Sequence, residues 1–190
     1  MSEENRFAFK EWKLVCDAIQ RGEQCVLLRK GGISEGKLGF QWLHSQFFLF
    51  PTWFHTQSEQ VRFPLPDGFE EGKEPDSVTI RLWAETVREG TIRKLEAVAP
   101  LREFHGWTEE VVAERFSWGD EPAISVAVIR AWQLAEPWTL PMRSSFGGCR
   151  SWLGMPISEG LPPSWKESMS PVTSDEMVAE AERRLAALDD

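Results

Sequence analysis

The chain has 190 residues and a mass of 21.8 kDa, with 42% hydrophobic and 27% charged residues and a net charge of −9. That length corresponds to one domain with roughly 70% of its surface hidden on folding, and the composition excludes collagen-like, coiled-coil and wholly disordered chains. The negative sign repels polyanions at long range, so a broad duplex nucleic-acid surface is disfavoured.

The charge is uneven. Residues 1–66 carry 8 basic and 7 acidic side chains, and residues 122–166 carry 4 and 2. Residues 67–121 carry 7 and 14, and residues 167–190 carry 2 and 7. The stretches rich in Gly, aromatic residues and His are therefore nearly neutral or slightly basic, which permits a local anion site. Three cysteines, Cys16, Cys25 and Cys149, form neither a disulfide framework nor a zinc ribbon. Together with an acidic start and no apolar run of membrane length, they place the expected protein, thiols reduced, in the cytoplasm.

Taken along the chain, Trp12, Val15, Cys16 and Ile19 recur at helical spacing and predict a helix over 9–21, stopped by Gly22. A short strand follows over 24–29, broken by Lys30-Gly31-Gly32. Phe47-Phe48-Leu49-Phe50 is a second strand, ended by Pro51, and a short helix is expected from Thr52 to about Gln60. Residues 64–76 read as an acidic surface excursion. Val78, Ile80, Leu82 and Ala84 alternate with polar neighbours as a half-buried strand, and Leu95, Ala97, Ala99 and Leu101 suggest another. Thr108 caps a helix with Glu109 and Glu110 in its first turn. Residues 123–134 are the strongest strand, with small residues on one face against which a helix can pack, and Pro137 and Pro141 end it. The last helix opens on the capping box Thr173-x-x-Glu176. The expected fold is α+β, with a largely antiparallel sheet that can curl toward a barrel and flanking helices. Residues 1–156 are expected to form one domain, and 157–190 a Pro-rich connector with an amphipathic helix.

Three segments carry candidate chemistry. Arg29-Lys30-Gly31-Gly32, followed by Glu35, brings two cations to a turn whose backbone N–H groups can cradle an anion, without the spacing of a phosphate loop. His44 and His55, with Gln57 and Glu59 nearby, offer a general base or two metal ligands. No metal motif supports the second use; His105, Cys149 or a distant carboxylate would have to complete the set, so no metal is assigned. Arg143 to Trp152 places Gly147-Gly148-Cys149-Arg150 between arginines, where a thiol can become reactive or an anion can be held. The ordinary alternatives are solvated strand-end charges, hydrogen-bonded histidines and a small thiol in a turn.

The stretches Leu28-Arg29-Lys30-Gly31-Gly32-Ile33, Phe48-Leu49-Phe50-Pro51-Thr52-Trp53-Phe54-His55, Arg130-x-Trp132-x-Leu134 with Pro137, and Gly147-Gly148-Cys149-Arg150-Ser151-Trp152 resemble a bacterial family catalogued as domain of unknown function 1802. The resemblance spans residues 7–155 and implies no reaction, cofactor or catalytic residue. It implies that the three segments meet in space. The expected function is a module for a small anionic ligand, phosphate- or nucleotide-like, or a short single strand of nucleic acid, held by Arg29, Lys30, Gly31, Gly32, Arg143, Gly147, Gly148 and Arg150. Two alternatives stand beside it. One is a hydrolase-like enzyme using His44, His55 or Cys149, or a His-held metal. The other is a protein-docking surface built from the ten Trp residues.

Overall fold

The computed structural model describes residues 6–30, 40–53, 58–65, 69, 72, 74–118 and 121–188. Seven strands and three α-helices occur among them: β1 (Phe7–Trp12), α1 (Lys13–Gln20), β2 (Val26–Arg29), β3 (Gln46–Thr52), β4 (Ser77–Ile92), α2 (Glu109–Ser117), β5 (Ile124–Pro141), β6 (Trp152–Gly154), β7 (Ser170–Pro171) and α3 (Asp175–Ala186). One sheet runs in the order β2-β5-β4-β3-β1-β6, with β7 added to β5. Its pairs are antiparallel except β1 with β3. The α+β class with a mostly antiparallel sheet is thus as expected.

The sheet is not closed into a barrel, and no backbone pairing joins β2 to β6 among the described residues. It curls far enough for side chains to bridge its ends. Arg29 of β2 donates from Nε and Nη2 to Ser151 Oγ, one residue before β6, at 3.2 and 3.1 Å.

Two irregularities interrupt the β4–β5 ladder, at Ile80/Leu82 and at Thr86/Arg88. Between the pairs Leu82↔Gln133 and Ile80↔Trp138, one residue of β4 is matched by four of β5. The extra length contains Pro137, which lacks the N–H a regular ladder needs. Leu82 and Ala84 consequently join one core while Val78 and Ile80 join the other. The first core takes the apolar sides of all three helices: Leu14, Val15 and Ile19; Val111, Val112 and Phe116; Val178, Ala181 and Leu185. The second is roofed by the chain after β5, through Phe146, Met155 and Trp165.

Four expectations need correction. Residues 9–12 are strand: Phe7–Trp12 pairs in parallel with β3, and the helix starts at Lys13. The helical spacing of Trp12, Val15, Cys16 and Ile19 was real but extended one turn too far back. Phe7 to Trp12 has the alternating side chains of a strand, and tertiary pairing decides between the two periods. Neither Pro51 nor Pro137 ends its strand, because each sits where no ladder N–H is required or where the pairing is irregular, whereas Pro141 is the last residue of β5 as expected. Leu95–Phe104 is a run of 3-10 turns, although its alternation suggested a strand. The last helix is capped by Ser174, whose Oγ accepts from Met177 N–H at 3.1 Å. Thr173 Oγ1 instead accepts from Ala131 N–H at 3.0 Å and ties the C-terminal segment to β5.

Thr108 caps α2 as expected, with its Oγ1 accepting from Val111 N–H. Gly22 ends α1 at φ 72°, and a Cβ there would stand 2.7 Å from the Val172 carbonyl oxygen. The position therefore needs glycine for conformation and for the close approach of the C-terminal segment.

Candidate functional site: the seam of the curled sheet

At the seam, β1 places Phe9 and Glu11 on the same side of the strand, two residues apart. The Arg29 guanidinium lies over the Phe9 ring, 5.3 Å from its centroid, in addition to its two bonds to Ser151. Phe9 is in turn surrounded by Phe40, Trp42 and Trp152, with centroids 5.0–5.9 Å away. The floor beneath Arg29 is therefore aromatic, and a cation on the face of such a ring gains about 0.5–2 kcal/mol according to its desolvation.

A second guanidinium comes from α2. Arg115 Nη1 donates to the Leu28 carbonyl at 2.8 Å, and its Cζ sits 3.7 Å from the Trp107 ring centroid and 5.6 Å from that of Trp12. Burial lowers its pKa to about 10; the Glu11 carboxylate opposes that shift, and Arg29 adds to it. Arg115 is only half-buried as a residue, so part of the side chain keeps access to solvent.

Glu11 is 1% exposed. Its Oε1 accepts from Trp12 N–H at 2.8 Å, whereas Oε2 is buried without a hydrogen-bond partner. The Trp12 and Trp107 rings meet edge to face at 4.7 Å, and Trp107 Nε1 is likewise buried without a partner. Two arginines, one carboxylate and two indoles thus form a single electrostatic cluster. Among the described residues, Arg29 spends no hydrogen bond beyond Ser151, and Arg115 none beyond Leu28.

A third cation lies close by. Lys10 is 9% exposed and donates from Nζ to the Gly148 carbonyl at 3.0 Å, while its backbone N–H donates to the Ser151 carbonyl at 2.8 Å. Gly148 has φ 80°, a turn geometry natural to glycine, and carries its carbonyl to the lysine. Burial lowers the Lys10 pKa, and the positive charge of Arg150 adds to the effect. The first and third sequence segments therefore do meet, through Arg29–Ser151, and Lys10 of β1 joins the third through Gly148.

Other expected residues sit differently. Lys30 Nζ donates to the Glu121 carbonyl at 2.7 Å. Arg143 is spent on a bidentate pair with Glu159 beside Phe146. Gly147, Gly148, Cys149 and Arg150 are exposed. Arg130 lies 3.6 Å from Glu85 and 3.3 Å from Asp175, linking β4, β5 and the start of α3.

His44 stacks on Phe7 at 3.5 Å and edges onto Trp152, and burial lowers its pKa. His105 is buried; its Nδ1 accepts from Trp107 N–H at 3.2 Å, and burial with three nearby arginines lowers its pKa to about 3. Gly31, Gly32, Glu35, His55 and Gln57 lie outside the described residues. Among the described residues no cluster of three His, Cys, Asp or Glu could hold a metal ion, and no helix is long and apolar enough to cross a membrane.

The sequence reading missed Lys10, Glu11, Trp12, Trp107 and Arg115 as members of the site. Lys10-Glu11 inside an otherwise aromatic strand was the available signal: charged residues on a strand with Phe on either side demand partners. Arg115 had no such signal, since a lone arginine on an amphipathic helix ordinarily faces water.

A family model described as Domain of unknown function (DUF1802) matches residues 8–184, and the chain belongs to that family. The match runs beyond residue 155, where the sequence resemblance stopped, and takes in α3. No curated protein matches the chain. Similar solved structures include ASCH from Zymomonas mobilis, at 10% identity and TM-score 0.49, covering 98% of this chain and 96% of that one. A serine-to-alanine variant of the Zymomonas mobilis protein matches at 10% identity and TM-score 0.49, over 97% and 96% of the two chains. A tyrosine-to-phenylalanine variant matches at 11% and 0.46, over 98% and 99%.

Proposed function

We propose that this member of the DUF1802 family binds a small anionic ligand, phosphate- or nucleotide-like, or a short single strand of nucleic acid, at the seam between β2 and β6. One observation carries the reading. Arg29 and Arg115 lie in one cluster, over the aromatic faces of Phe9 and Trp107, with hydrogen-bonding capacity that the described residues do not use. Guanidinium groups bind phosphate through paired, charge-assisted hydrogen bonds, and neighbouring rings accept a stacked base.

Lys10 and Arg150 add positive potential beside the seam. Arg143 belongs to a separate, already paired site and is left out of this reading. The charge of −9 and the acidic stretches elsewhere keep a long duplex away, so the ligand is small or single-stranded.

Calorimetric titration with ribose 5-phosphate and with nucleoside monophosphates tests this. Binding is expected, and Arg29→Gln lowers the affinity at least about tenfold, the weight of one charge-assisted hydrogen bond. Absence of binding by every one of these compounds, or an unchanged affinity in Arg29→Gln, overturns the reading.

A further inference from the structure

Glu11 is expensive to keep as it stands. A carboxylate oxygen buried without a partner gives up its hydration and receives no hydrogen bond in exchange. The local backbone uses only one of the two Glu11 carboxylate oxygens. Trp12 N–H uses Oε1, and the Glu11 carbonyl separately accepts from Thr52 Oγ1 at 3.0 Å. Oε2 is left over, in a cluster that also holds the unpartnered donor Nε1 of Trp107. An unused acceptor and an unused donor beside aromatic rings are what the edge of a planar nitrogenous base would complement, since such an edge carries N–H groups and acceptor atoms side by side.

The strand sets the distance. Phe9 and Glu11 are two residues apart on one side of β1, about 7 Å along the strand. Arg29 stands over Phe9 and Arg115 interacts with Glu11. A nucleotide has the same order of groups, an anion at one end and a base edge at the other. A free phosphate or a sugar phosphate satisfies the arginines and leaves Glu11 unanswered.

Resting on the anion site described above, we propose that Glu11 is its base-reading residue: Oε2 accepts a hydrogen bond from a ring-edge or exocyclic N–H of a nucleobase whose phosphate is held by Arg29. The ligand class is thereby narrowed from phosphates in general to nucleotides, free or at the end of a short strand. Arg115, half-buried next to Glu11, marks the side from which a base would approach.

The test uses the full chain and compares ribose 5-phosphate with the adenosine, cytidine, guanosine and uridine monophosphates. At least one nucleotide is expected to bind about tenfold or more tightly than ribose 5-phosphate. Glu11→Gln is expected to abolish that preference, with ribose 5-phosphate bound at least as tightly as by the unaltered protein because a negative charge beside the arginines is gone, and circular dichroism checks that the variant is folded. If all four nucleotides bind the unaltered protein no better than ribose 5-phosphate, the base-reading role of Glu11 is overturned and the anion site stands. Retention of the preference by a folded Glu11→Gln also overturns it. Failure of ribose 5-phosphate and of every nucleotide to bind overturns the anion site as well.

Discussion

Arg29 and Ser151 lie 122 residues apart in the chain and hold the two ends of the sheet together, the guanidinium donating from Nε and Nη2 to one hydroxyl oxygen. Ser151 is 2% exposed, so water does not replace it as the acceptor. This contact stands where a closed barrel would have backbone pairing. The seam is consequently a place where polar side chains, rather than a ladder, face one another.

Ser151→Ala removes the acceptor for both donors. The variant is expected to lose about 1.5–3 kcal/mol of unfolding free energy, the range for hydrogen bonds to a charged group. Urea titration measures it. A stability within 0.5 kcal/mol of the unaltered protein would show that Arg29 finds another partner, and that the seam is held by the Phe9 stack alone.

His105 ties stability to pH. Its pKa in the folded protein is about 3, against 6.5 for the free side chain. Below about 6.5 the unfolded chain takes up a proton that the folded one refuses. Stability from this group is therefore complete above that pH and falls by about 1.4 kcal/mol per unit as the pH drops toward 3. Urea midpoints for the protein and for His105→Gln, measured between neutral and acid pH, should converge as the pH falls. Parallel curves would show that His105 is protonated without cost.

The three cysteines should separate by accessibility. Burial raises the Cys16 thiol pKa well above its ordinary value and takes that of Cys25 to about 12, whereas Cys149 is exposed. Iodoacetamide at mildly alkaline pH is expected to modify Cys149 in the folded protein and all three residues after unfolding. Mass spectrometry counts the adducts. Rapid modification under native conditions would mean that α1 opens readily, if at Cys16, or that α3 lifts from the start of β2, if at Cys25.

The C-terminal helix is packed into the same core as the rest of the chain. Val178, Ala181 and Leu185 are buried, and Thr173 Oγ1 accepts from Ala131 N–H of β5. Leu185→Ala is expected to cost about 2–5 kcal/mol, and removal of residues 170–190 to prevent cooperative unfolding altogether. A truncated chain that melts like the full one would support the expected division into a domain over 1–156 and an appended connector and helix over 157–190.

Much of the architecture was legible because it depends on local pattern. The alternation from Val78 to Ala84, the apolar run at residues 47–50, the Thr108 cap and the small face of residues 123–131 each carry their period within a few residues. The misread elements share a different cause. Phe7 to Trp12 fits a strand or a helical turn until β3 lies alongside, and Leu95–Phe104 keeps an alternation that no neighbouring strand takes up. Thr173 and Ser174 are adjacent capping residues, and only the proximity of Ala131 decides which of them caps.

The candidate site divides in the same way. Arg29 and the Gly147–Ser151 turn were visible because paired glycines beside cations are a local signal. The sequence by itself determined the α+β class, the acidic balance and the position of those cations along the chain, all properties of composition and short-range period. That Arg29 reaches Ser151, that Arg115 crosses from α2 to the Trp107 ring, and that Glu11 is buried with one oxygen unmatched was decided only by the tertiary structure. Each of these depends on contacts between elements far apart in the chain, which no short-range period encodes.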